Sequence, residues 1–138
     1  MLSQEILLVE DNPDQAELTR VALEDGDLVP QIRWVKDGQE ALDYLLREGP
    51  YHDAHRPGLI LLDIDLPKRD GIEVLRTIKK HEDLRMIPVI MLTTSASCDV
   101  ILQCYLLGAN SFVIKSGSWD EHLKKIHALK LYWLLVNQ

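Results

Sequence analysis

Residues 59–71, Leu-Ile-Leu-Leu-Asp-Ile-Asp-Leu-Pro-Lys-Arg-Asp-Gly, constrain the fold of this chain more than any other stretch. Four apolar residues run directly into a carboxylate, and Pro67 and Asp70-Gly71 then supply turn chemistry. A short continuous apolar run bounded by such residues reads as a strand buried on both faces. Asp63 falls where that strand ends. In open parallel sheets, ligands bind in the crevice beyond the carboxyl ends of the strands. The other segments therefore matter by what they bring to Asp63.

The same grammar repeats along the chain. Ile6–Val9 is a buried-strand run ending at Glu10-Asp11, and Asn12-Pro13 opens a helix as N-cap and first helical residue. Ala16, Leu18, Val21, Ala22 and Leu23 supply that helix's apolar positions, and Gly26 punctuates its end. Ile32–Val35 reads as a second strand, and Asp37-Gly38 turns into a helix with Ala41, Leu42, Leu45 and Leu46 on one face. Residues 49–58 are a loop rich in breakers. A third helix is predicted from about Ile72 to Lys80, with Ile72, Leu75 and Ile78 inward. A fourth strand spans Pro88–Leu92, and a fourth helix runs from about Cys98 to Leu107. A short strand over Ser111–Ile114 and a long helix from about Ser118 complete the series.

Strict strand–helix alternation predicts a parallel sheet with helices on both faces. Right-handed crossovers and the small strand number favour an α/β, flavodoxin-like (βα)5 doubly wound sheet of order 2-1-3-4-5, one domain over residues 1–138.

Composition narrows the function. The 138 residues carry a net charge of -7, with 46% hydrophobic and 27% charged residues, and the pI is near 5.1. That balance argues against a nucleic-acid partner, which calls for a basic face. No apolar run nears the roughly 20 residues that span a bilayer, and the N-terminus lacks a secretory pattern. A cytoplasmic setting is expected. Cys98 and Cys104 point to different helix faces at their spacing, so no local disulfide is expected.

In a 2-1-3-4-5 sheet, strands one and three are neighbours at the point where the order reverses. The strand ends then bring together Glu10, Asp11, Asp63, Thr93 and Lys115. Crowded carboxylates raise one another's pKa unless a cation compensates. A hard divalent ion such as Mg²⁺ suits them, and it also takes phosphate oxygens. A carboxylate beside such an ion can attack a phosphoryl donor and become an aspartyl-phosphate. The ion, a lysine and a hydroxyl would neutralise the equatorial oxygens. The residues thus point to phosphoryl transfer onto Asp63.

Across essentially its whole length the sequence resembles the receiver domain of bacterial two-component response regulators. The matching marks are Leu8–Asn12, Leu62–Gly71, Leu92-Thr93-Thr94, Gly108-Ala109-Asn110 and Phe112–Lys115, with the family's spacings from Asp63 to Thr93 and from Thr93 to Lys115. The resemblance implies that Asp63 is the phosphoacceptor. It implies Mg²⁺ held by the carboxylates of Asp11 and Asp63 and by the backbone carbonyl of Asp65, with Glu10 acting through metal-bound water. Thr93 and Lys115 would each bond a phosphoryl oxygen, and Phe112 would be the switch aromatic that moves inward as Thr93 shifts. The side chains of Asp65 and Ser95 fall where family members tune the attack of water on the phosphate, which implies autophosphatase activity rather than turnover of an outside substrate.

One departure stands out. The family usually has Pro after the lysine, whereas Lys115 is followed by Ser116-Gly117-Ser118. That leaves the loop geometry after Lys115 open. No separate output domain is expected. The loop at 49–58, the 63–68 run and the late aromatic helix further resemble stand-alone regulators that pair with bacterial phytochrome kinases, so a sensor histidine kinase is the implied partner.

In the last helix Leu123, Ile126 and Leu129 form one inward stripe, but residues 131–136 are apolar on every side. Such a patch marks an interface. The expectation is a symmetric homodimer through helix four, strand five and helix five, using Tyr132, Trp133 and Val136. Trp34 reads as strand packing. His52, Asp53 and His55 form a conceivable metal site in a loop, and His81, His122 and His127 read as surface helix residues. Two other function classes compete: a pseudo-receiver used only for protein contacts, and a phosphatase with an Asp-x-Asp nucleophile. The second usually carries its motif on the first strand, unlike Asp63-Ile64-Asp65.

Overall fold

The computed structural model describes residues 5–26, 29–94, 97–115 and 118–136. Five parallel strands, β1 (Glu5–Val9), β2 (Gln31–Val35), β3 (Leu59–Asp63), β4 (Val89–Thr93) and β5 (Ser111–Ile114), alternate with helices α1 (Pro13–Glu24), α2 (Gly38–Leu45), α3 (Gly71–Lys80), α4 (Cys98–Leu106) and α5 (Trp119–Val136). The sheet order is β2-β1-β3-β4-β5. The flavodoxin-like expectation therefore holds. The breaker-rich loop contains one 3-10 turn, Gly49–Tyr51.

The register explains the apolar runs. Ile6–Val9 pair with Leu59–Leu62, and Ile60–Asp63 pair with Val89–Leu92. Every residue of β3 and β4 is buried. Alternate side chains point to opposite faces. Leu7, Val9, Ile60 and Leu62 meet α2 and α3 through Ala41, Leu45, Val74 and Ile78. Ile6, Leu8, Leu59 and Leu61 meet α1 and α5 through Ala22, Leu23, Ile126 and Trp133. A strand feeding two cores has no position for a polar side chain, so its first carboxylate appears where the cores end.

Side-chain caps set where helices start. Asn12 Oδ1 accepts from the backbone N–H of Asp14 and Gln15 at 2.9 and 3.1 Å. Asp37, Asp70 and Ser97 accept from Glu40, Glu73 and Val100 in the same way. The C-terminus of α1 is completed from a distance. Lys130 of α5, 4% exposed, donates to the carbonyls of Leu23 and Asp25 at 2.9 and 2.5 Å. A cation there also faces the negative end of the helix dipole.

Three sequence expectations need correction. Trp133 belongs to this chain's own core: it is 4% exposed and its indole N–H donates to the Gly58 carbonyl at 3.1 Å. It therefore leaves the set of candidate interface residues. His122 is buried rather than on the surface, and its Nε2 lies 3.2 Å from Thr19 Oγ1 on α1. On α1 itself, Leu18 and Val21 are exposed, and Thr19 takes an inward place. Tyr132 is 70% exposed, while the side chain of Val136 lies outside the described residues. Replacing Trp133 by Phe is expected to cost about 1–3 kcal/mol, because the buried Gly58 carbonyl loses its donor. Tyr132→Ala should stay within about 0.5 kcal/mol in dilute solution. Urea midpoints of the two variants check both values.

Candidate functional site

Each site residue closes a strand or stands just beyond its carboxyl end. Glu10 and Asp11 follow β1, Asp63 closes β3, Thr93 closes β4 and Lys115 follows β5. The strand order places Asp63 between the two acids of β1 on one side and Thr93 on the other.

Glu10, Asp11 and Asp63 offer carboxylate oxygens that all lie within 4.8 Å of one another. Glu10, Asp63, Thr93 and Lys115 are buried and Asp11 is exposed, so the cluster opens to solvent on the Asp11 side. The Lys115 ammonium donates to Asp63 Oδ2 at 3.1 Å and also to Glu10 Oε1. The backbone ties the lysine to the neighbouring strand, since Lys115 N–H donates to the Thr93 carbonyl at 2.6 Å. On its other oxygen, Asp63 Oδ1 accepts from Asp65 N–H at 3.2 Å. Glu10 is held by its main chain as well: the Trp34 indole donates to its carbonyl at 2.7 Å. Asn12 N–H donates to Glu10 Oε2 at 3.4 Å.

The loop after Asp63 turns sharply. Gly71 N–H donates to the Ile64 carbonyl at 2.7 Å. A Cβ on Gly71 would lie 2.7 Å from Ile64 Cα and 2.9 Å from the Asp63 carbonyl carbon. Only glycine lets α3 start this close to the end of β3.

Electrostatics follow from this packing. Burial, with the hydrogen bond to Asp63, pushes the Glu10 carboxyl up to about 7 against the pull of Lys115. Burial works to lower Lys115, but the bonds and charges of Glu10 and Asp63 outweigh it and raise its pKa. Three carboxylates and one ammonium leave two negative charges uncompensated at full ionisation. A divalent cation matches that surplus, and the all-oxygen donor set suits a hard ion. The loop trio has no comparable order: His52 Nε2 is 3.1 Å from Asp53 Oδ2, both side chains lie in solvent, and His55 is exposed. Among the described residues, Glu10, Asp11 and Asp63 form the one group of three metal-capable side chains.

Phe112 pairs with Met91 in the sheet and is half-buried against the α2–α4 core. Asp65 is exposed. Ser95, Ser116 and Gly117 lie outside the described residues.

A family model described as the response regulator receiver domain matches residues 6–127. This chain belongs to the response regulator receiver family. As a receiver, it is a phosphoacceptor module of two-component signalling, built around a divalent-metal site rather than for turnover. Its relatives include the probable methanogenesis regulatory protein FilR2 of Methanothrix harundinacea, 45% identical over 96% of this chain and 85% of that one. Response regulator Rcp1 of Synechocystis sp. is 38% identical over 94% of this chain and 88% of that protein. Among solved structures, the phosphorylated cyanobacterial phytochrome response regulator RcpA matches with a TM-score of 0.91 at 40% identity. It covers 96% of this receiver and 94% of its own chain. The Mn²⁺-bound form of Rcp1 matches with a TM-score of 0.90 at 38% identity, covering 94% of each chain.

Away from the acidic site, His122 is another buried titratable group. Burial, then the charges of Lys115 and Lys125, lower its pKa. The unfolded chain holds a histidine near pKa 6.5, so the folded state prefers the neutral ring. Stability from this residue is full above that value and is lost as pH falls below it. Glu10 acts in the opposite sense over part of the same range. The stability gap between the unchanged receiver and His122→Asn should therefore shrink between pH 7.5 and pH 5.5, as read by guanidinium midpoints.

Proposed function

We propose that Asp63 accepts a phosphoryl group from a sensor histidine kinase and that the product drives a conformational or oligomeric switch. One observation carries this reading: Asp63 is the acid that stands between the metal-capable carboxylates of β1 and the Thr93 end of β4, with Lys115 on its Oδ2. An Asp63 oxygen attacks phosphorus, a phosphorus–oxygen bond forms, and the phosphorus–nitrogen bond of the donor phosphohistidine breaks. The electron pair leaves with the imidazole, which is protonated from solvent.

Asp11 and Asp63 would hold Mg²⁺ through carboxylates, Asp65 through its backbone carbonyl and Glu10 through water. When bound there, the ion neutralises phosphoryl charge. Lys115 gives up one carboxylate partner and pairs with a phosphoryl oxygen, and the Thr93 hydroxyl binds another. Phe112 then follows Thr93 inward, a two-state element biased by local charge. Asp65, exposed beside the acceptor, suits a role in steering the water that later hydrolyses the acyl phosphate.

The likeness to the phytochrome response regulator RcpA supports a phytochrome-type kinase as donor. The net charge of -7 favours protein over nucleic-acid partners. Two free thiols suit a reducing, cytoplasmic setting. A symmetric dimer would use Tyr132 with the exposed apolar side chains Leu106, Ile114 and Leu131.

The test is phosphorylation by acetyl phosphate with Mg²⁺, read by intact mass and by mapping the modified residue. One added phosphoryl group on Asp63 supports the reading. An unmodified protein that also ignores beryllofluoride overturns it. Sedimentation with and without beryllofluoride then tests the dimer.

A further inference from the structure

The loop carrying Asp65 is gripped from outside the site, by the first turn of α2. Three contacts make the grip. A Cβ on Gly38 would lie 2.8 Å from Arg69 Cβ and 2.9 Å from the Arg69 carbonyl carbon, and closer still to its oxygen. The α2 backbone thus rests directly on the loop backbone. Next in the helix, Gln39 Oε1 accepts from Arg69 Nε at 2.8 Å. Arg69 in turn donates to Glu73 Oε1 on α3 at 2.9 Å. At the edge, Lys68 Nζ sits 3.6 Å from Asp37 Oδ2. Inside the loop, Lys68 adopts a positive φ of 67° and Arg69 N–H donates to the Pro67 carbonyl at 2.8 Å. Residues 64–70 are therefore pinned at one end by Gly71 against Ile64 and near the other by Gly38 against Arg69.

We propose that Gly38, Gln39 and Arg69 are positioning residues for the receiver's metal site, acting through the backbone of residues 64–70 on the Asp65 carbonyl. The inference rests on the assignment of that carbonyl to the metal. None of the three residues touches the reacting atoms. Their effect is to fix one ligand before the ion arrives, as outer-shell partners do around other metal sites. Linkage makes the effect reciprocal. If the α2 turn tightens metal binding, metal binding protects the α2 turn by the same factor. The β2–α2 corner thereby reports occupancy of the acidic site on a face separate from β5.

The test uses the full chain and free Mn²⁺, measured by electron paramagnetic resonance. Arg69→Ala and Gln39→Leu should each weaken Mn²⁺ binding about tenfold, the scale for losing an outer-shell partner. The double variant should be no worse than the stronger single, because both remove one contact. Gln39→Glu keeps an acceptor for the guanidinium and should restore affinity to that of the unchanged protein. In acetyl phosphate kinetics, half-saturating Mg²⁺ should rise while the rate at saturating Mg²⁺ stays within about twofold. Amide exchange at residues 39–42 should slow on Mn²⁺ binding in the unchanged protein and not in Arg69→Ala. Gly38→Ala should be the weakest binder, and if it fails to fold the side-chain variants decide. Affinities of Arg69→Ala and Gln39→Leu within twofold of the unchanged protein, with only a lower melting temperature, overturn the positioning role. A protein that binds no Mn²⁺ at all instead overturns the metal assignment beneath it.

Discussion

Asp63→Asn is expected to take up no phosphoryl group from acetyl phosphate, and its metal-free fold is expected to be no weaker than that of the unchanged receiver. The first half follows from chemistry: an amide oxygen is a poor nucleophile, and Asp63 is the acid that closes the strand next to β4. The second half follows from charge. Asp63 and Glu10 share one ammonium in a buried space. Removing one of the two anions leaves a matched Glu10–Lys115 pair. Relief of like-charge crowding at a site shaped for function stabilises by roughly 1 kcal/mol. The Glu10 carboxyl, pushed up to about 7 by burial and by Asp63, should titrate lower in the variant. Intact mass after acetyl phosphate treatment reads the first effect, and thermal melting in chelator-treated buffer reads the second. A variant that incorporates phosphate normally would move the acceptor elsewhere.

Lys115→Met should be the reverse case. It leaves Glu10 and Asp63 buried with no cation, and breaking a buried ion pair from one side costs about 3–5 kcal/mol. The cost depends on pH. A carboxyl held above its unfolded value contributes stability below that unfolded value and loses it as pH rises through the folded one. For Glu10 that window runs from the model-peptide range up to about 7, and it widens upward once the ammonium is gone. The gap between Lys115→Met and the unchanged receiver should therefore be largest at pH 8 and shrink toward pH 5. Millimolar Mg²⁺ should narrow it at pH 8, since a divalent ion supplies the charge the lysine provided. Denaturant midpoints at two pH values, with and without Mg²⁺, check all three statements. Phosphoryl uptake by this variant should also fall, because one partner of the transferred group is missing.

The sheet was legible because its strands serve two cores. Ile60, Leu61 and Leu62 cannot tolerate a polar neighbour, so the first acid after them marks a strand end. Four strand ends, read with the order 2-1-3-4-5, bring Glu10, Asp11, Asp63, Thr93 and Lys115 to one place without any long-range information. The α1–α5 face was harder to read. His122 and Thr19 are separated by 103 residues, and each is an ordinary polar residue on its own helix. Nothing local separates a histidine that meets a buried hydroxyl from one in solvent. Trp133 failed for a related reason. Residues 131–136 are apolar on all sides, so periodicity cannot say which face packs, and the deciding partner is a loop carbonyl 75 residues away. The α2 grip was hidden because its central residue is a glycine. Gly38 looked like turn punctuation, whereas its role is to carry no side chain where another backbone passes.

Lys130 links the first helix to the last. The end of α1 has no basic residue of its own, and its carbonyls are satisfied by a side chain that leaves the ribosome more than a hundred residues later. A nascent receiver can pair β1 with β2 and β3 early, yet the terminal turn of α1 stays open until α5 emerges and docks. Completion of α1 thus waits on the emergence of α5 rather than on the appearance of the acidic site. Chains cut short before Lys130 would carry Glu10, Asp11 and Asp63 in sequence but lack a finished α1, and a frayed helix end of that kind is where proteolytic nicking concentrates.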